Sequence, residues 1–222
     1  MIRIMSMRTT RLVLLLGAVA LGASACQPGD SAADAGGTAN AGRAASGSEY
    51  RGVTLPEPRD KPSVTLTATD GKPYDFQKET AGKLTLLFFG YTHCPDVCPV
   101  HMANIAAVLQ KMSYEDQQRI AVVFVTTDPD RDTPEKIRKW LDAFDSRFVG
   151  LYGSEEDVNR VMYDLKLPPS MKDAPAEDGS YGVGHAAQVY AFTADGKARL
   201  VYPFGTRQSD WAHDLPKLLR QQ

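Results

Sequence analysis

Cysteine is scarce in this chain, with three among 222 residues. That excludes a disulfide-dense miniprotein and leaves each thiol to be accounted for singly. Basic charge is not in surplus either: 25 Lys and Arg stand against 27 Asp and Glu, a formal net charge of −2. A nucleic-acid-binding domain normally carries a basic stripe or a high pI, so that class is excluded. No apolar run reaches the roughly 20 residues of a bilayer-spanning helix, which excludes a polytopic membrane protein. What remains is ordinary, 43% apolar and 23% charged residues, in a length that suits one domain of moderate size.

The first residues read as an address. Arg3, Arg8 and Arg11 precede a short apolar run from Leu12 to Leu21, then the small residues Gly22-Ala23-Ser24-Ala25 lead to Cys26. A basic head, a short apolar core and small residues before a cut describe a secretory signal peptide. The cysteine directly after them resembles a bacterial lipobox, although Ala23 stands where Leu is usual. Residues 1–25 are thus expected to be a lipoprotein leader, with Cys26 lipidated and the mature chain tethered to a membrane on its extracytoplasmic, periplasmic side. In residues 31–48 fourteen of eighteen are Ala, Gly or Ser, with no large apolar side chain to bury. Such a stretch cannot offset its ordering entropy, so 26–49 are expected to form a flexible tether.

From about residue 50 the pattern is globular. Ser63–Ala68 alternates, and Asp70-Gly71 signals a hairpin before Tyr74 and Phe76. Leu84–Tyr91 and Ile120–Val125 are continuous apolar runs of the kind a strand buried on both faces shows. Between them Met102, Ile105, Ala106, Leu109 and Met112 mark one face of a helix. Thr133-Pro134 starts another, with Ile137, Trp140, Leu141 and Phe144 on one side. Phe148–Tyr152 reads as a short strand, and Ser154 with Asp157 as a helix cap ahead of Val158, Val161, Met162 and Leu165. Lys166–Gly184 is polar and reads as a long loop. His185–Phe192 and Ala198–Phe204 flank the turn Asp195-Gly196, and Trp211, Leu215, Leu218 and Leu219 mark a last helix. This order predicts an α/β, thioredoxin-like fold over 50–222: a central mixed sheet flanked by helices, with an added N-terminal hairpin.

With Cys26 assigned to lipid, Cys94 and Cys98 remain, in the turn between the first buried strand and its helix. Sites gather at that end of an open sheet. Pro99 suits the first helical position, which puts Cys98 at or near the N-cap, where unpaired N–H groups and the helix dipole favour a thiolate. A structural crosslink would close only a few residues and stabilise little. A redox pair and a metal site stay open.

The run Phe89-Gly90-Tyr91-Thr92-His93-Cys94-Pro95-Asp96-Val97-Cys98-Pro99 closely resembles the signature of the Sco/SenC proteins, membrane-anchored thioredoxin-fold proteins implicated in copper delivery to cytochrome c oxidase. Asp128-Pro129-Asp130-Arg131-Asp132-Thr133-Pro134-Glu135 is similar to a second block of that family. Gly184-His185-Ala186-Ala187-Gln188-Val189-Tyr190 falls where the family places its metal-binding histidine. The family commonly has an acidic residue before that histidine and a hydroxyl residue after it, whereas this chain has Gly184 and Ala186.

The resemblance implies a copper site of Cys94, Cys98 and His185. Thiolates select Cu(I), and imidazole lets the same donors accept Cu(II); three ligands leave coordination unsaturated, which suits a carrier. It also implies a redox-active pair, Cys94 and Cys98, able to reduce a client disulfide. The implied client is the Cu-A site of cytochrome c oxidase subunit II, or another copper-requiring protein, served by a monomer as metallochaperone, thiol reductase or both. A copper or redox sensor and a thiol peroxidase are the alternatives. Peroxiredoxins place Thr three residues before their cysteine, and Tyr91 or Pro95 stands there in this chain. A zinc hydrolase would need a general-base carboxylate, and none sits at a recognisable spacing. Among the remaining residues, His93 is expected at the surface or tuning the thiol. His101 is expected on a solvated helix face, and His213 exposed. Asp128, Asp130 and Asp132 should serve the turn, and Met102 and Met112 the core.

Overall fold

The computed structural model describes residues 49–221; the expected leader, Cys26 and nearly all of the tether lie outside the described residues. Strand β1 (Val53–Asp60) contains Pro56 and Pro58, which cannot donate to a ladder. It accordingly forms one edge of the sheet, paired only with a late strand, and its register slips between Thr54 and Arg59 across the prolines. The anticipated hairpin is β2 (Thr65–Ala68) and β3 (Pro73–Asp75). Its second arm stops short of Phe76, because Asp75 caps the brief helix α1 (Phe76–Glu79) by accepting from Lys78 N at 3.1 Å.

The centre follows the apolar runs. In β4 (Leu84–Gly90) every residue is buried. Leu84, Leu86 and Phe88 face one core cluster and Leu87 and Phe89 the other. Helix α2 (Val97–Leu109) and the short α3 (Tyr114–Gln118) lead to β5 (Ile120–Thr126), parallel to β4 from Leu84↔Ile120 to Gly90↔Thr126. Its side chains alternate in the same way, Phe124 to one side and Val125 to the other. Burying one such side chain stabilises the fold by roughly 1.5–3 kcal/mol. Helix α4 (Pro134–Asp142) starts as expected, Thr133 accepting from Lys136 N at 3.3 Å with Pro134 in the first turn. Strand β6 (Val149–Tyr152) is followed by α5 (Glu155–Asp164), capped by Ser154, which accepts from Asp157 N at 3.1 Å.

The segment expected to be loop carries two short strands, β7 (Met171–Lys172) and β8 (Val183–Gly184), which pair antiparallel and close it into a fold-back. Strand β9 (Val189–Phe192) and β10 (Lys197–Tyr202) form the closing hairpin, and α6 (Gln208–Leu218) ends the chain's regular structure. The eight-stranded mixed sheet runs β1-β10-β9-β4-β5-β6-β2-β3, with β4, β5 and β6 parallel and helices over both faces. This is the thioredoxin-like α/β architecture, with the hairpin docked on β6. No helix among the described residues is long and apolar enough to cross a membrane.

Candidate metal centre

The site begins where β4 ends. Strands β4 and β5 terminate side by side, and Thr127 N donates to Gly90 O at 2.7 Å. The chain then turns through Tyr91–Pro95 into α2, whose cap is Asp96, accepting from Val97 N at 2.6 Å. Cys98 is therefore the second helical residue and Pro99 the third, two steps further into the helix than the proline alone suggested. The correction changes which sulfur takes the anion position. Cys98 N donates to Cys94 Sγ at 3.4 Å, so the helix terminus stabilises Cys94.

The two thiols are free and unlike. Cys94 is 8% exposed and Cys98 wholly buried. The Cys98 thiol donates to Cys94, and with the N–H groups of Cys98 and Asp96 it holds Cys94 down to about 3. Burial, then the neighbouring Cys94 sulfur, pushes Cys98 far up. At neutral pH the pair is one thiolate and one thiol.

His185 was expected inside a strand. It lies instead in the gap between β8 and β9, half-buried and outside the ladders. Its ring packs edge-on against Phe88 at 5.9 Å and Tyr91 at 5.6 Å between centroids. Nδ1 donates to Ala186 O at 3.0 Å, which fixes the tautomer and leaves Nε2 to face Cys98 Sγ at 3.5 Å. A backbone carbonyl thus orients a ring whose neighbours, Gly184 and Ala186, have no polar side chain. Donor atoms of Cys94, Cys98 and His185 all lie within 4.8 Å of one another, although Cys98 and His185 are 87 residues apart. Two soft sulfurs and an imidazole at this spacing fit a copper ion.

The acidic block braces this arrangement. Asp132, whose side chain is wholly buried, accepts from Thr92 N at 2.9 Å, Thr92 Oγ1 at 2.5 Å and Thr126 Oγ1 at 2.6 Å. It clamps the turn just before Cys94 to the end of β5. Asp128 accepts from Arg131 and, at 3.0 Å, from Tyr181 Oη. Arg131 donates to Tyr181 O at 2.9 Å and lies 3.5 Å over its ring. Asp130 pairs with Lys172 at 2.7 Å. These ties hold the fold-back that delivers His185. The oxygens of Asp128 and Asp132 also lie near His93, but they are occupied by these bonds, so this second grouping is a brace.

Three sequence readings change. His101 is not solvated: it is 1% exposed, and Nε2 donates to Ala187 O at 3.0 Å. His213 is half-buried, with Nδ1 donating to Asp214 at 2.6 Å. Gly90, passed over within the signature, is demanded by packing, since a Cβ there would sit 2.7 Å from Cys98 Sγ. The signal was present in a lone glycine closing a run of bulky strand residues. His93 is surface-exposed and 3.6 Å from Asp132, and Met102 is in the core, both as expected.

Comparison with known proteins agrees with this geometry. Residues 55–220 match the family model described as SCO1/SenC. The fold is similar to apo Sco1 from Thermus thermophilus (31% identity, TM-score 0.68, covering 77% of this chain and 97% of that one). It is also similar to ScoI of Bradyrhizobium japonicum, solved with copper bound (34% identity, TM-score 0.62, 73% and 98% covered). The mitochondrial SCO1 homologue 1 of Arabidopsis thaliana is 31% identical over 131 residues, 59% of this chain but 38% of that protein, so the chain spans about two fifths of its length. From the signature turn, the buried thiol pair and a match over most of its length, the chain belongs to the SCO1/SenC family.

Proposed function

We propose that this chain is a copper carrier that holds its cargo on Cys94, Cys98 and His185 and serves assembly of the Cu-A centre of cytochrome c oxidase. It would act from the extracytoplasmic face of a membrane, anchored through Cys26. The observation that carries this reading is the meeting of a distant imidazole with a thiolate–thiol pair within 4.8 Å. Copper bound in the relative from Bradyrhizobium japonicum supports it. Cys94, already ionised, is the first donor; Cys98 gives up its proton as metal enters; His185 Nε2 offers its lone pair as the third.

A second reading shares the site and rests on the inequality of the thiols. Cys94 thiolate attacks a client disulfide, forming a mixed disulfide and expelling one client thiolate. Cys98, losing its proton, then attacks Cys94 Sγ and expels the second client sulfur. The client gains two electrons from the pair and one proton from Cys98, the second proton coming from water, and the chain is left as a Cys94–Cys98 disulfide without thiolates for copper.

The test is copper titration of the full chain in detergent, wild type beside Cys94→Ser, Cys98→Ser and His185→Ala. One copper per wild-type chain is expected, with a strong visible thiolate band in the Cu(II) form. The band should vanish in both serine variants, and nitrogen coupling should vanish in His185→Ala. An unaltered thiolate band in either serine variant overturns the reading. In cells, deletion should lower oxidase activity and added copper should restore it; altered expression alone would mark a sensor.

A further inference from the structure

Helix α2 meets the segment that carries His185 at two places. One is the site itself, Cys98 Sγ against His185 Nε2 at 3.5 Å. The other lies three residues along the same helix face, where His101 Nε2 reaches Ala187 O at 3.0 Å. A carbonyl only accepts, so this nitrogen carries the proton and the neutral ring leaves Nδ1 bare. Nδ1 is buried and has no hydrogen-bond partner among the described residues. The ring is wrapped by Phe88 at 5.2 Å, Phe204 at 6.3 Å and Trp211 at 6.4 Å between centroids. Burial there pushes its pKa down, in keeping with a neutral imidazole.

Packing does not account for an imidazole at this place. A phenylalanine or methionine would fill the same aromatic surroundings without stranding a nitrogen, and leaving a buried polar atom unpaired carries a penalty. What the imidazole adds is one N–H, and that N–H holds the backbone two residues beyond His185. The segment has few other means of holding its place. Residues 185–188 lie between β8 and β9, outside both, and Ala186 and Ala187 have no polar side chain.

We propose that His101 is a positioning residue whose bond to Ala187 fixes the His185 segment against α2 and so places the imidazole beside Cys98. The consequence for metal rests on the copper reading above; the positioning itself does not.

The experiment uses the full chain with His101→Phe, His101→Met and His101→Gln. Phe and Met keep the apolar packing without a donor, and Gln restores an N–H of comparable reach. In the reduced, metal-free protein, hydrogen exchange over residues 184–189 should quicken about tenfold or more in the Phe and Met variants and return toward wild type in Gln. Exchange in β4 and β5 should stay unchanged. With Cu(II), Phe and Met should lose or weaken nitrogen coupling and bind about tenfold more weakly, a usual effect of removing a group that orients a ligand. Gln should recover both. Should Phe unfold the chain, Met gives the same comparison.

Wild-type exchange over 184–189 in a folded Phe or Met variant overturns the proposal, as does loosening that Gln fails to reverse. Failure of the copper reading looks different. His185→Ala would then be indistinguishable from wild type in its Cu(II) spectrum while His101 is intact, and the metal-free exchange would still decide the role of His101.

Discussion

Substituting Gly90 by Ala should disturb the site through a single added methyl group. The new Cβ would lie 2.7 Å from Cys98 Sγ, 2.9 Å from the Phe88 ring and 3.1 Å from the Phe124 ring. Ordinary contact needs about 3.5–4.0 Å, so something must retreat by roughly 1 Å. Both rings are fully buried in the core cluster. The sulfur is the lighter object to displace, and moving it changes its 3.5 Å approach to His185. Overpacking of this kind costs about 1–3 kcal/mol. For a domain of this size that is about 2–10 °C in melting temperature. The control is Gly184→Ala, next to His185 in sequence, where a Cβ meets only Met171 O at an unstrained 3.7 Å. Thermal melts of the reduced, metal-free chains followed by circular dichroism, with Cu(II) spectra of the same proteins, separate the two. Gly90→Ala should melt lower and shift the thiolate band, while Gly184→Ala does neither. A Gly90→Ala chain that melts within a degree of wild type with an unaltered band refutes the claim that close packing on Cys98 fixes the site.

Three further outcomes follow from the same geometry. Iodoacetamide should modify Cys94 ahead of the fully buried Cys98, at a rate nearly flat from pH 5 to pH 8, because a thiol held down to about 3 is ionised throughout that range. A free thiol gains about tenfold per pH unit there, and Cys98→Ala should restore part of that slope by removing the main donor to Cys94. Asp132→Ala strands Thr92 N–H and two hydroxyls and should cost about 2–4 kcal/mol in urea unfolding, with Asp132→Asn losing less; a loss under about 0.5 kcal/mol would remove the clamp from the argument. Lys61, buried with Nζ on Thr80 O and Thr85 Oγ1, is brought down to about 8 chiefly by burial. Its folded value lies below its unfolded one, so between about pH 8 and 10.5 the unfolded chain holds more protons and stability rises with pH. That gain, about 1–3 kcal/mol, should appear in wild type and be missing from Lys61→Met; parallel pH profiles would refute it.

The elements legible in sequence were those whose signal is local. Apolar runs gave β4 and β5, and Thr133-Pro134 and Ser154 gave the starts of α4 and α5, because caps and two-sided burial act within a few residues. Strand β1 was illegible because its two prolines argue against a strand, and only an edge position tolerates them. Strands β7 and β8 are two residues each and exist only as each other's partners. At the site, Cys94 and Cys98 stood out by their spacing at a strand end, while His185 came from family resemblance rather than any local pattern. His101 was misplaced because Phe204 and Trp211, which cover its ring, arrive from about a hundred residues later.

That split between local and distant also bears on how cargo would be handled. The two sulfurs are set by one turn and the first turn of one helix, with Asp132 clamping the turn to β5. The imidazole arrives from the far end of the fold-back, half-buried, outside any ladder, and held by Ala186 O, His101 and the ties to Asp128, Asp130 and Arg131. A carrier needs donors of unequal tenure, a fixed part that retains the ion and a part that can leave. The physical ranking follows from the bonds: the two sulfurs are built into the sheet–helix junction, whereas the ring hangs on a segment outside the ladders, whose loosening costs a few hydrogen bonds and the burial of Ala186. On the carrier reading proposed above, release would therefore begin at His185 while both sulfurs still hold the ion.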